Sequence, residues 1–517
     1  MAAPIVRRLV PIAGVAAVLV ALVSSGTSSA LTKATSGAAQ SLTVVGAAAT
    51  WPQLNPVTDP EGPADYLMLN AIYGQLFEQG TNHTIVPDLA TGYKFSDNNT
   101  LVSISLRSGV TFQDGSPFTA QAVQQNIENA LNPANACLCL FDWSDVKSVT
   151  TEGTDTVQLH LATPFPPIME AFIGEAPNWI PSPTALAKVG AGAFDQHPVG
   201  AGPFEVESNS ASSQLVLKRY PGYWQSGHPY LQSLTFVSTA TDETAYEALE
   251  SGSAQMTQLA SVSLIHQARG QFHVSTIPGT GVSLLNFNTK TSPFNNILAR
   301  EAVTYATNER QILDKIDSGY GTITESPTGP GGRFYEPKVP GYHSYDLEKA
   351  KALVKQLGGL SATLMTGNTP EQVVLATALQ EQWKLAGITV NLEPLAFAAE
   401  VENLMHHTWQ VTAGEAGGPD PVVGVESLAN NLGCQGAFSA VCDPVLDGFI
   451  QQLRTNPDQS ARAKVFREAA ARIADQAYAV YGVVTPWNVV TSVPVTGMTL
   501  VSGEDGPIVN WEDLKVG

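Results

Sequence analysis

The stretch Leu101-Val-Ser-Ile-Ser-Leu-Arg-Ser-Gly-Val-Thr-Phe-Gln-Asp-Gly-Ser-Pro-Phe-Thr-Ala120 decides the fold, behind Pro87-Asp-Leu-Ala90 and a turn at Ser96-Asp-Asn-Asn99. Val102, Ile104 and Leu106 alternate with Ser103 and Ser105, the period of a strand with one buried face. Turn-forming residues stand on both sides, Ser96-Asp-Asn-Asn99 before and Arg107-Ser-Gly109 after. Val110 and Phe112 read as the start of a second short strand, stopped by Asp114-Gly-Ser-Pro117. Thr119 is placed to accept an orphan backbone N–H at a helix start. Val123, Ile127 and Leu131 then recur at helical spacing. Strand, turn, strand, turn, helix predicts an α/β or α+β unit, and by itself no function.

Outward from this unit, bulk properties narrow the classes. A chain of 517 residues predicts two or three domains. With 44% hydrophobic and 14% charged residues it reads as folded and globular. Asp plus Glu number 46 against 26 Lys plus Arg, a formal charge of −20. Such a surface repels phosphate backbones, so nucleic acid is not an expected partner. At the N-terminus, Arg7 and Arg8 precede an apolar run from Leu9 to Val23, broken by Pro11 and Gly14, and Ser28-Ser-Ala30 follows. That is the layout of a secretory signal, with an apolar run shorter than the ~20 residues of a spanning helix; an uncleaved signal anchor is the other reading. Residues 31–40 read as a flexible leader.

Four cysteines in a secreted chain suggest disulfides. Cys434 and Cys442, with Gly433 and Gly436 beside them, suit a small bridged loop. A bridge between Cys137 and Cys139 spans one residue and is strained, so free thiols and other pairings stay open there.

The order Pro-Asp-Leu-Ala, turn, alternating strand, Leu-Arg-Ser-Gly-Val-Thr-Phe-Gln-Asp-Gly, helix resembles the signature region of extracellular solute-binding protein family 5. These are the peptide- and nickel-type receptors of ABC importers. Leu106, Arg107, Gly109, Val110, Phe112, Asp114 and Gly115 carry the likeness. Pro198-Val-Gly-Ala-Gly-Pro-Phe204 is similar to the family's Pro-Val-Gly-Thr-Gly-Pro-Tyr, and the helix from Tyr345 to Gly358, capped by Asp346, matches as well. The loop between Cys434 and Cys442 resembles a local disulfide loop of dipeptide-binding relatives. The resemblance implies an α/β, two-lobed, type II periplasmic-binding-protein-like fold with an additional α+β subdomain in the first lobe. Residues 1–30 would be signal and 31–40 leader. Residues 41–75, 196–280 and 490–517 would form lobe I, 76–195 the additional subdomain and 281–489 lobe II. It further implies a monomeric, non-catalytic receptor without cofactor or metal. Its partners would be a short peptide, or another small solute such as a nickel chelate or sugar, and an ABC permease in the membrane. A lipid-tethered relative carries a cysteine just after its signal, whereas the first cysteine here is Cys137. The expected location is therefore extracytoplasmic: secreted, periplasmic or held at the cell surface by the N-terminus.

Thr369-Pro-Glu-Gln372 is a capping box with proline at the first helical position. It opens a helix between strands near 362–365 and 388–392, which predicts a parallel pair with a right-handed crossover. Arg300 to Ile312 reads as one helix, its stripe formed by Ala302, Val303, Ala306, Leu313 and Ile316. The chemistry is expected at Trp409-Gln-Val-Thr-Ala-Gly-Glu415-Ala-Gly417-Gly-Pro-Asp420-Pro421, a strand entering a glycine-rich loop, because open α/β sheets bind ligands at strand carboxyl ends. Many peptide-binding relatives place an aspartate here against the α-ammonium. Gly417 falls at that position, so either Glu415 or Asp420 substitutes, or Asp420-Pro421 is only a turn. Trp51 reads as a ligand wall or a packed core aromatic. Asn288, at the crossing into the second lobe, and Trp409 complete the candidate ligand-binding set. The rival reading is a secreted hydrolase, which needs a nucleophile–base pair in the cleft. His-Glu-x-x-His and Gly-x-Ser-x-Gly are both absent, and Ser144-Asp-Val-Lys147 lacks its companion motifs. His406 and His407, read as strand residues, would point to opposite faces.

Overall fold

Strand Ser41–Ala47 pairs in parallel with Ser233–Thr239 on one side and Met256–Gln258 on the other. Leu42 and Val44 pack into one core, Val45 into another, as a strand covered on both faces requires. The computed structural model describes residues 40–47, 53–58, 63–135, 137–140, 142–210, 213–280, 283–413, 424–503 and 506–517. The first sheet has seven strands, in the order His273–Ile277, Trp487–Thr491, Met256–Gln258, Ser41–Ala47, Ser233–Thr239, Gln214–Arg219, Phe204–Ser210. The second has five, in the order Ile388–Leu395, Leu360–Gly367, Val411–Ala413, Ser283–Phe287, Ala479–Tyr481. The chain thus leaves the first sheet after Ile277 and returns at Trp487.

A separate four-stranded antiparallel sheet holds the deciding stretch. Leu101–Leu106 runs between Ala90–Ser96 and Thr156–Leu161, with Val102, Ile104 and Leu106 buried. Thr119 caps helix Ala120–Ala130 through Ala122 N, and Val123 and Ile127 face the core. No strand forms at Val110–Phe112. Phe112 N donates to Ser116 O (2.8 Å) and Phe118 N to Val110 O (3.0 Å), closing a tight loop with one bridge, Thr111 to Pro117. Pro117 has no N–H to extend a ladder.

The parallel pair is present, from Leu360 beside Ile388 to Gly367 beside Leu395. Helix Pro370–Leu385 links its strands and starts at the Thr369 capping box. The expected single helix from Arg300 is two, Ile297–Ala306 and Glu309–Lys315. Asn308 breaks it by accepting from Gln311 N, a side-chain bond that competes with helix continuation. His406 ends helix Phe397–His406, and His407 follows in the left-handed region with φ 54°, so the strand reading of this pair is corrected. Both cysteine pairs are bridged, Cys434–Cys442 and Cys137–Cys139. The latter has a Cα–Cα distance of 5.2 Å, within the ordinary span, so one intervening residue suffices. Among the described residues, no helix is long and apolar enough to cross a membrane.

Candidate functional site: the junction between the lobes

Two passages join the sheets, and a third segment packs on both. Gly331 N donates to Gly279 O (2.7 Å), Thr328 Oγ1 to Thr280 O (2.9 Å), Thr324 N to Gly482 O (2.8 Å) and Ser502 Oγ to Pro278 O (2.8 Å). Backbone approaches backbone so closely that a Cβ on Gly279 would overlap Thr485 O and lie 2.7 Å from Val484 Cγ1. Glycine is required there for space, and Gly279→Ala is expected to cost about 1–3 kcal/mol, the range for overpacking. Urea unfolding checks this, and an unchanged midpoint would contradict it.

Further out, the first lobe's subdomain meets the second lobe through buried charge. Glu170, in the short 3-10 helix Pro166–Phe172, accepts from Arg462 Nη2 (2.7 Å) and Nη1 (3.2 Å), and also from Arg333 Nη1. The three side chains are 6 to 8% exposed. Arg333 also donates to His83 O. Burial, and then the Arg333 charge, push the His83 imidazole down to about 4. Nearby, Arg454 pairs with Asp145. Sequence reading missed this cluster. Its only local signal is Glu170 itself, a lone carboxylate in the apolar run Pro166-Pro-Ile-Met-Glu-Ala-Phe-Ile173, since glutamate is seldom buried without a partner.

Of the expected ligand residues, Asn288 and Trp409 come together. Asn288 follows strand Ser283–Phe287 and is fully buried. Its Nδ2 donates to Trp409 O (2.7 Å) and His407 O (3.1 Å), while Oδ1 accepts from Lys290 N (3.0 Å). The side chain therefore fixes the entry to strand Val411–Ala413, and its amide is engaged by protein backbone. Trp409 is buried beside Met365 and Ala440. Its Nε1, with Thr366 Oγ1 and Thr412 Oγ1, is buried without a hydrogen-bond partner among the described residues. Thr366 and Thr412 lie toward the carboxyl ends of the parallel strands Leu360–Gly367 and Val411–Ala413, on opposite faces of the sheet, and Trp409 stands at the entry to the latter strand. Trp51, Glu415, Gly417 and Asp420 lie outside the described residues. Among the described residues, no group of three His, Cys, Asp or Glu side chains could hold a metal ion.

This architecture, two mixed α/β lobes joined by two crossings, is that of type II periplasmic binding proteins. Residues 84–438 match the family model described as bacterial extracellular solute-binding proteins, family 5 Middle, and the chain belongs to that family of non-catalytic solute receptors associated with ABC importers. It is 26% identical over 470 residues to the glutathione-binding protein GsiB of Shigella boydii serotype 4, covering 87% of this chain and 90% of that one. Among solved structures it is similar to the dipeptide-binding protein of Pseudoalteromonas sp. SM9913 in complex with Met-Leu. There the TM-score is 0.76 and identity 19%, over 92% of this chain and 100% of that one. It is also similar to the binding protein AgaA of A. tumefaciens R10 in complex with agropinic acid, with a TM-score of 0.75 and 22% identity over 92% and 99%.

Proposed function

We propose that this chain is the extracytoplasmic receptor of an ABC importer, closing its lobes around a short peptide and passing it unchanged to a membrane permease. The observation that carries the reading is the match of residues 84–438 to the solute-binding family, with three buried donors around strand Val411–Ala413, Thr412 Oγ1, Thr366 Oγ1 and Trp409 Nε1, that have no hydrogen-bond partner among the described residues. Buried donors call for acceptors, and peptide carbonyls and carboxylates supply them. The relative that matches over most of the chain is named for glutathione, and a protein of the same fold holds Met-Leu; both ligands are short peptides. Guest binding favours the closed form by its differential affinity for the two arrangements. Export follows from Arg7, Arg8, the apolar run and Ser28-Ser-Ala30.

Native mass spectrometry of protein purified without denaturation, followed by calorimetry with di- and tripeptides, tests the reading. Expected is a co-purifying peptide, or saturable binding of peptides that are recovered intact. Binding of opine-like solutes with no peptide binding would replace the solute class. Cleaved peptide would replace the receptor reading with the hydrolase. Cell fractionation with N-terminal sequencing tests export, and a cytoplasmic, full-length product would overturn it.

A further inference from the structure

The turn Ser318-Gly-Tyr-Gly321 follows helix Glu309–Lys315, whose Ile312 packs in the second lobe's core. Its tyrosine packs instead on the first lobe, against the cluster that holds Val45, Leu249 and Val490. Tyr320 Oη donates to Asn488 Oδ1 (2.5 Å) and accepts from Arg269 Nη2 (3.2 Å). Asn488 is 2% exposed. The same Oδ1 accepts from Thr276 Oγ1 (3.1 Å), and Asn488 Nδ2 donates to Pro486 O (3.0 Å). Thr276 and Asn488 face each other across strands His273–Ile277 and Trp487–Thr491, where the chain leaves the first sheet and returns to it. One side chain of the second lobe is thus bonded at the root of both crossings.

The backbone of the turn is built to place that side chain. Ser318 and Gly319 both lie in the left-handed region, with φ 51° and 76°, a conformation that a serine adopts at a cost. Gly319 N donates to Leu313 O and Tyr320 N to Asp317 O, each at 2.7 Å. Gly321 presses on the second crossing: a Cβ there would lie 2.8 Å from Val483 Cγ1 and 3.1 Å from Val484 O. Thr322 and Ile323 then pair with Val484 and Val483. The turn is therefore fastened to the crossing chain at Val483–Val484, and its tyrosine to the same chain at Asn488. Any rotation of the lobes about this crossing works between the two fastenings. A hydrogen bond weakens steeply once distance or angle departs from its narrow range, so the Tyr320 bonds belong to one arrangement of the lobes. Here it is the arrangement in which Glu170 meets Arg462 and Asp145 meets Arg454.

We infer that Tyr320 is a positioning residue for lobe closure, a bolt across the second crossing that favours the arrangement in which the lobes meet. The inference rests on the reading that the lobes close around a guest. The bolt raises guest affinity without touching the guest, because apparent affinity scales with the fraction of protein already in the binding-competent arrangement.

The test compares the full protein with Tyr320→Phe, which keeps the ring and removes both bonds, and with Arg269→Met, which removes one bond from an exposed position. Small-angle scattering reads the radius without guest, calorimetry reads binding of the dipeptide Met-Leu, and urea reads stability. Expected for Tyr320→Phe are a larger radius without peptide, the wild-type radius at saturating peptide, and about 10-fold weaker binding, the worth of one hydrogen bond. Arg269→Met should move the radius and the affinity the same way by less, and it carries the test if Tyr320→Phe does not fold. A merely structural role predicts a lower urea midpoint with wild-type radius and affinity. That result, or a guest-free radius that stays the same or shrinks, would overturn the inference. If the wild-type protein does not bind Met-Leu, the peptide reading loses support, and the guest-free radii still decide for or against the bolt.

Discussion

Glu170→Ala is expected to destabilise the closed, folded protein by about 3–5 kcal/mol, the range for removing one partner of a buried ion pair. The substitution takes the shared carboxylate from two guanidinium groups, Arg333 and Arg462, at 6 to 7% side-chain exposure, and leaves Arg333 its bond to His83 O. Arg462 Nε is already buried without a partner among the described residues, so loss of the carboxylate leaves that group with little to hold its charge. Because Glu170 sits on the first lobe's subdomain and Arg462 on helix Gln459–Asp475 of the second lobe, the bond exists only while the lobes meet. Part of the cost therefore falls on closure. At 1.4 kcal/mol per tenfold, a 3 kcal/mol loss on closure alone is about a 100-fold loss of guest affinity. Chemical denaturation and small-angle scattering divide the two shares: a lower midpoint reports folding, and a larger radius with an unchanged midpoint reports opening. Added salt should do little to the wild-type contact, because buried pairs are weakly screened. The exposed pair Lys351–Glu348 makes a control, with a removal cost of no more than about 1 kcal/mol. A Glu170→Ala protein with wild-type midpoint, radius and affinity would show that the cluster holds nothing together.

What could be read in the chain was what short-range chemistry decides. Thr119, Asp346 and Thr369 cap helices in the structure because each bonds an N–H three residues away. The alternation at Val102, Ile104 and Leu106 requires only one buried face, and Cys434–Cys442 closes a loop of neighbours. The two-lobed architecture followed from the family resemblance and is the observed fold. The misreadings have equally physical causes. Val110–Phe112 looks like a strand by pattern, but Pro117 opposite it cannot donate. The helix from Ile297 stops at Thr307 because Asn308 caps the next helix through Gln311 N, and Thr307 is held there by Trp383 Nε1 at 3.0 Å, a partner far away in sequence. The interlobe cluster was illegible for the same reason: Glu170 and Arg462 are 292 residues apart, and no periodicity joins them. Asn288 and Trp409 stand out in sequence by their place beside the crossing and the glycine-rich loop, but the bond between Asn288 Nδ2 and Trp409 O joins residues 121 apart and has no local signal.

Asn288 offers the second large effect and separates two roles for one residue. If its amide acts on protein alone, Asn288→Ala should lower the unfolding free energy by about 2–4 kcal/mol. That figure follows from leaving the buried Trp409 O unpaired at about 1–3 kcal/mol, with smaller losses at the part-buried His407 O and Lys290 N. Asn288→Asp should be worse. It keeps an acceptor for Lys290 N, but it replaces the donor to two carbonyls with a carboxylate oxygen in a fully buried position, where charge is heavily penalised. The expected order of stability is wild type, then alanine, then aspartate, with guest affinity falling only as far as the entry to strand Val411–Ala413 loosens. A direct ligand contact predicts the opposite pattern: midpoints within ~0.5 kcal/mol of wild type, as for substitutions outside the structural frame, together with a large loss of affinity. Urea denaturation and calorimetry on the same three proteins decide between them. Because the two roles predict opposite orderings of the same two measurements, stable variants with lost binding would move Asn288 from the frame of the site to its lining.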